Sequence, residues 1–264
     1  MTDAVRFALD GDVALVTLAK PDSMNSLSDR DILDGLHVAE ERLRTDRAIR
    51  AAVITGTGKA FCSGGNVKDM AAKREMFAGD ALAVRNQYMD RILALTPKLW
   101  ELDVPLIAAV NGDAVGAGLD LACLCDMRFV SRTARFSASF ARIGVAPGDG
   151  GAWLLARMIR PDHAARLMLT GDIVDAVEAD RLGLVTELCE PDALLDRALQ
   201  MARAIAKNPP HALRLTKKLM RAAAGPDFRA HLDYCAAVQG LLHASADHAE
   251  AIRAFFDGKA GSQS

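Results

Sequence analysis

Aromatic residues make up only 5% of this 264-residue chain. So sparse a supply argues against a surface that binds single-stranded nucleic acid by stacking successive bases. A strong charge of either sign is also missing: 32 basic and 34 acidic residues leave a formal net charge of −2, which does not suit a polyanion binder. The local exception is a short basic stripe, Arg214, Lys217, Lys218 and Arg221. No apolar run reaches the roughly 18 residues that a membrane-spanning helix needs. The opening residues, MTDAVRFALDGD, lack a basic stretch followed by an apolar one, so no secretory signal is expected. Cysteine is scarce and odd in number, with Cys62, Cys123, Cys125, Cys189 and Cys235 forming no C-x-x-C pair. That excludes a disulfide framework and a four-thiolate zinc site, and it fits a reducing compartment. The expectation is a cytoplasmic protein with no metal and no membrane or nucleic-acid partner.

Several catalytic signatures are absent as well. There is no G-x-G-x-x-G after a strand, no G-x-x-x-x-G-K-[ST], no H-E-x-x-H and no G-x-S-x-G. The six histidines lack metal-ligand spacing. Cys62 reads as a small buried residue rather than a nucleophile.

What is present is an ordinary globular composition, 51% apolar and 25% charged, in a chain long enough to bury its own core without staples. Residues 5–18 alternate as a hairpin around Asp10-Gly11. Ser28 then reads as a helix N-cap with Asp31 closing a capping box, ahead of an apolar stripe at Ile32, Leu33, Leu36, Ala39 and Leu43. Buried strands are predicted over 51–55, 105–110, 127–130 and 182–188, and a long helix over 80–102. Strands separated by helices imply a parallel α/β core. After about residue 190 the pattern is helical, over about 191–206, 211–223 and 228–256. The expected organisation is an α/β core over 1–190 and a helical C-terminal segment over 191–264.

Two strands run into glycine-rich turns, "GTGKAFCSGGN" after Thr55 and "NGDAVGAGLD" after Val110. The second opens a helix, whose first N–H groups lack intrahelical acceptors and carry the positive end of the dipole. Two such turns side by side could aim two N–H donors at one oxygen; simple strand-to-helix turns would look the same.

The wording of those turns decides further. "GKAFCSGGNVKDM", "PLIAAVNGDAVGAGLDLACLCDMRF", "GVAPGDGGAWLLARMI" and "LTGDIVDAVEADRLGLV", with the early "PDSMNSLS" and the late "AIAKNPPHALRLTKKLM" and "AIRAFF", closely resemble the enoyl-CoA hydratase/isomerase (crotonase) family along nearly the whole chain. The resemblance implies a crotonase-like spiral of ββα units with a C-terminal helical trimerisation segment. It also implies an acyl-CoA enzyme, most simply a hydratase of fatty acid metabolism, that holds a thioester enolate between the backbone N–H groups of Gly65 and Ala117. No cofactor beyond the substrate's coenzyme A is implied, and the assembly would be a homotrimer or a dimer of trimers. Met24, Lys59, Ser63, Gly65 and Lys68 would lie along the coenzyme, with Phe255 and Lys259 reaching the coenzyme of a neighbouring subunit.

The chain departs from that family where hydratases carry two glutamates. Asp120 stands at the first position and Phe140, which cannot move a proton, at the second. Asp120 lies three residues past Ala117, on the same helix face. Asp149 in "PGDGG" is a second candidate acid or base, or else a helix N-cap. Ser137 and Ser139 are candidate polar contacts, and Asn66 a structural residue. A double-bond isomerase using one aspartate and a weakly catalytic CoA-binding scaffold remain as alternatives.

Overall fold

A computed structural model describes residues 3–223, 225 and 227–260. The chain opens with the antiparallel hairpin β1 (Val5–Asp10) and β2 (Val13–Leu18), in register from Val5 opposite Leu18 to Asp10 opposite Val13. Helix α1 (Arg30–Thr45) buries the expected stripe, but its N-cap is Asp29, one residue after the expected Ser28, and no side chain caps it. The Ser28 hydroxyl is used elsewhere: it accepts from Asn66 N–H at 2.9 Å, tying this segment to the first glycine turn.

Three passes of the chain then follow one plan: a strand in a large sheet, a short strand in a small sheet, and a helix. The first is β3 (Ala51–Gly56), β4 (Ala60–Cys62) and α2 (Val67–Ala72). Before the second pass come α3 (Ala81–Asp90) and α4 (Ile92–Glu101). These replace the single long helix expected over 80–102, because Arg91 takes φ −117°, ψ −88° and breaks the ladder. The second pass is β5 (Leu106–Val110), β6 (Asp113–Val115) and α5 (Ala117–Leu124). The third is β7 (Met127–Ser131), β8 (Arg135–Ser137) and α6 (Gly151–Met158). Helix α7 (Pro161–Thr170), β9 (Ile173–Asp175), α8 (Ala176–Arg181) and β10 (Glu187–Cys189) complete this part. The strand expected over 182–188 is therefore shorter and begins later.

The large sheet has the order β1-β2-β3-β5-β7-β10, parallel from β2 onward, and the small sheet the order β4-β6-β8-β9. This is the spiral of ββα units that the resemblance implies. Side chains alternate across β3: Ala52 and Ile54 join the main core, while Ala51 and Val53 face the other way, as a period of two requires. That second face is covered by α9 (Leu194–Ala206), whose Leu194, Ala198, Ala202 and Ala206 recur at intervals of four. Helices α10 (Pro210–Ala222), α11 (Phe228–His243) and α12 (Ala246–Ala260) follow; the last two replace one helix expected over 228–256.

The basic side chains of the stripe on α10 are engaged within the fold. Arg214 and Lys217 are buried and donate to the carbonyls of Ile49 and Val104 at 2.9 and 2.8 Å. Lys217 and Arg221 grip Asp126 at 2.7 and 2.8 Å, and Lys218 pairs with Asp103. Among the described residues no helix is long and apolar enough to cross a membrane.

Candidate active site

The carboxyl ends of β3 and β5 lie side by side in the large sheet, with Thr55 opposite Ala109, so the turns that follow them are neighbours. Gly64 adopts φ +75°, and a Cβ there would stand 2.5 Å from the Val115 carbonyl and 2.9 Å from Ala117 N. Any side chain at 64 would wedge the two turns apart. Gly116 takes φ +54°, a conformation L side chains rarely adopt, and its N–H donates to the Ser137 carbonyl at 2.8 Å. That fixes where α5 starts. Ala117 is its first residue, so its N–H has no intrahelical acceptor. Among the described residues neither Gly65 N–H nor Ala117 N–H donates to a protein acceptor.

The early "PDSMNSLS" segment braces the first turn from the other side. Ser63 N–H donates to the Met24 carbonyl at 3.0 Å, and Leu27 N–H and Ser26 Oγ both donate to the Gly64 carbonyl at 2.8 Å. Met24 sits in the left-handed region at φ 55°, a tight corner that directs the segment across the turn. Met24 and Ser63 are thus in contact, with Ser63 two residues before Gly65. Lys59 and Lys68 are exposed nearby in the chain. Asn66 caps α2, accepting from Lys68 N–H at 3.0 Å. Phe255 is exposed on α12, which packs on α11; the side chain of Lys259 lies outside the described residues.

Asp120 and Asp149 line one small internal cavity together with Ala117, Leu27, Thr96 and Leu124. Both are buried, and one carboxyl oxygen of each has no hydrogen-bond partner among the described residues. Buried polar atoms are nearly always paired, so two orphans in one cavity mark a place built for something else. Burial holds the Asp120 carboxyl well above the usual carboxylate range; the Asp149 charge pushes it the same way, and the Gly151 backbone opposes both. Burial pushes Asp149 up to about 6. Asp149 is not a helix cap: Gly150 holds that position, and no side chain caps α6. Gly151 has no room for a Cβ because the Asp120 carboxyl occupies that space.

Other candidates separate out. The buried Ser137 hydroxyl is committed to the Gly171 carbonyl at 3.0 Å. Cys62 is fully buried, with its thiol pushed up to about 12 by burial, an inert state. Phe140 packs its ring 3.6 Å from where a Gly116 Cβ would be. Three neighbours were not legible beforehand. Met70 and Phe77 flank Gly65. The Tyr88 ring meets Phe77 edge-on at 6.4 Å, with its phenol raised by burial and by the Asp149 charge. They come from 67–90, where no strong periodicity marks a buried face.

A model of the family described as enoyl-CoA hydratase/isomerase matches residues 9–260. The chain is 34% identical to (E)-benzylidenesuccinyl-CoA hydratase of Thauera aromatica over 97% of both chains. It is 34% identical to 2,3-dehydroadipyl-CoA hydratase of Escherichia coli over 92% of this chain and 91% of that one. Among solved structures, an enoyl-CoA hydratase of Bacillus anthracis superposes with a TM-score of 0.90 at 27% identity, covering 97% of this chain and 96% of that one.

Proposed function

The chain belongs to the enoyl-CoA hydratase/isomerase family, and from that premise we propose that it adds water across the 2,3-double bond of an enoyl-CoA thioester where α5, α6 and the 63–66 turn meet. The thioester carbonyl oxygen lies between the N–H groups of Gly65 and Ala117. Donors fixed in advance at such an oxygen are each worth about 2.7–4 kcal/mol where one has been removed from other enzymes. Asp149, ionised at neutral pH, takes a proton from water as the water oxygen bonds to C3. The π electrons pass to the thioester oxygen as an enolate and return to form the C2–H bond, with the proton given by Asp120. Asp149 ends protonated and Asp120 ionised, and one proton passed back restores both. Coenzyme A is the only non-protein group this chemistry calls on.

One relationship supports this reading above the rest. Two carboxyl groups with unsatisfied oxygens share a cavity with Ala117, the residue whose N–H would hold the oxyanion. Asp149 supplies the second carboxylate that Phe140 cannot. The test is a panel of 2-enoyl-CoA thioesters followed by loss of the conjugated absorbance in ¹⁸O-labelled water, with one labelled oxygen expected at C3. Conversion of a 3-enoyl-CoA without label would make the protein a double-bond isomerase. Binding without turnover, unaffected by Asp120→Asn with Asp149→Asn, would leave a CoA-binding scaffold.

The proposal extends to assembly. Phe228, Leu232, Leu241, Ile252, Phe255 and Phe256 are exposed on α11 and α12, apolar surface of the kind that marks interfaces, and a homotrimer or dimer of trimers would cover it. Five free cysteines support a reducing, cytoplasmic setting.

A further inference from the structure

The wall of the aspartate cavity has a second side. Thr96 and Leu124, which line that cavity, also line an open groove between α4 and α6. The groove holds about 260 Å³, and its remaining lining is Pro97, Trp100, Gly150, Trp153 and Leu154. A dry cavity of about 150 Å³ already accepts benzene, so a ring or several methylenes fit here. Trp100 and Trp153 are the chain's two tryptophans. They meet edge-to-face at 4.9 Å and 90°, a favourable aromatic pairing. Arg221 stacks on Trp100 at 3.6 Å and Arg157 on Trp153 at 3.9 Å, which fixes both rings. Trp153 is still 42% exposed. Gly150 stands between Asp149 and α6 with no side chain toward Thr96; a Cβ there would sit 3.6 Å from Thr96 Cγ2, against one of the two residues that the cavity and the groove share.

We propose that the substrate's acyl chain runs from the aspartate pair past Thr96 and Leu124 into this groove, so that the enzyme selects acyl-CoA thioesters ending in an aromatic ring or a chain of several methylenes over four-carbon ones. The inference rests on the acyl-CoA reading above and names the substrate class of that site. Each methylene buried there is worth roughly fourfold in affinity.

Because both tryptophans line the groove, their emission reports its occupancy in the unaltered protein. Butyryl-CoA, decanoyl-CoA and 3-phenylpropanoyl-CoA are titrated by calorimetry and by tryptophan fluorescence. All three bind; the latter two bind at least tenfold more tightly, and only they shift the emission. Trp153→Ala removes that gain while butyryl-CoA affinity stays within twofold, and Trp153→Phe keeps most of it. Equal affinities for the three ligands, or an emission shift shared by butyryl-CoA, overturns the groove as a tail site. A changed sedimentation coefficient in Trp153→Ala overturns it too, giving the face to a second copy of the chain. If none of the three binds, the acyl-CoA reading itself fails. If butyryl-CoA binds with no preference for longer tails, only the groove fails.

Discussion

Asp120 and Asp149 share one cavity, and the charge of Asp149 raises the Asp120 carboxyl above a value that burial has already raised. Two carboxyl groups so placed do not both ionise readily, and the one with the lower pKa, Asp149 at about 6, ionises first. The expected pH profile of kcat/KM is bell-shaped, with an acid limb near 6 and an alkaline limb as Asp120 loses its proton; both limbs belong to the pair. Asp149→Asn abolishes the acid limb and lowers kcat at least about 100-fold, the range of a lost general base. An acid limb that survives this substitution unchanged places the base elsewhere.

The same burial costs stability, with a definite sign. Below the ordinary aspartate value of 3.8, folded and unfolded chains both hold the Asp149 proton and the residue contributes nothing. Between 3.8 and about 6 the folded form keeps a proton that the unfolded form has lost, so the penalty grows with pH. Above 6 it is constant at about 3 kcal/mol. Asp149→Asn should therefore stabilise the protein above pH 6, by up to that amount less the cost of burying an amide. Urea unfolding at pH 5 and pH 8 checks it: the advantage of the variant must widen toward pH 8, and narrowing contradicts the assignment.

Much of this site was legible before the structure. The two glycine turns announce themselves because their strands, Ala51–Gly56 and Leu106–Val110, are continuous apolar runs, the mark of parallel strands buried on both faces. Asp120 is pointed to by the family resemblance, and its spacing of three from Ala117 on one helix face is compatible with that role. The small sheet was not legible, because β4, β6, β8 and β9 are three residues each, too short for a period to show. Asp149 could not be resolved into cap or catalyst, since an acid just before a helix serves equally well as either. The structure separates them by placing Gly150 at the cap. Tyr88 and the tryptophan groove are products of tertiary packing, and nothing local in their segments points to them.

Neighbouring glycines should respond differently to substitution. A Cβ on Gly65 meets Met70 Cε, the free end of a flexible side chain, with Phe77 Cζ at 3.7 Å. Gly65→Ala is accommodated by a swing of Met70, and kcat stays within about tenfold, while Gly65→Val displaces the amide and costs about 100-fold or more, as losing an oxyanion donor does. Gly64→Ala instead strikes the Val115 carbonyl and Ala117 N from a positive φ, so it lowers both activity and thermal stability. Equal kinetic losses in Gly65→Ala and Gly65→Val would detach Gly65 from the chemistry.

Lys217 lies 2.7 Å from Asp126 and 2.8 Å from the Val104 carbonyl. Asp126 also accepts from Leu106 N–H at 2.8 Å and from Arg221. The cluster clamps α10 to the starts of β5 and β7. Lys217→Ala leaves the part-buried Asp126 carboxylate with one partner fewer, and breaking a fully buried pair from one side costs about 3–5 kcal/mol, which is the upper bound here. Lys218 pairs with Asp103 at 3.2 Å with its side chain 48% exposed, and Lys218→Ala should cost about 1 kcal/mol or less. Salt separates the two further. An exposed pair is screened within a Debye length of about 8–10 Å at physiological ionic strength, and a buried one is screened much less. Denaturation at low and high salt should therefore shrink the Lys218→Ala effect toward zero and leave that of Lys217→Ala nearly unchanged. Equal salt sensitivity would mean that Lys217 meets solvent as openly as Lys218 does.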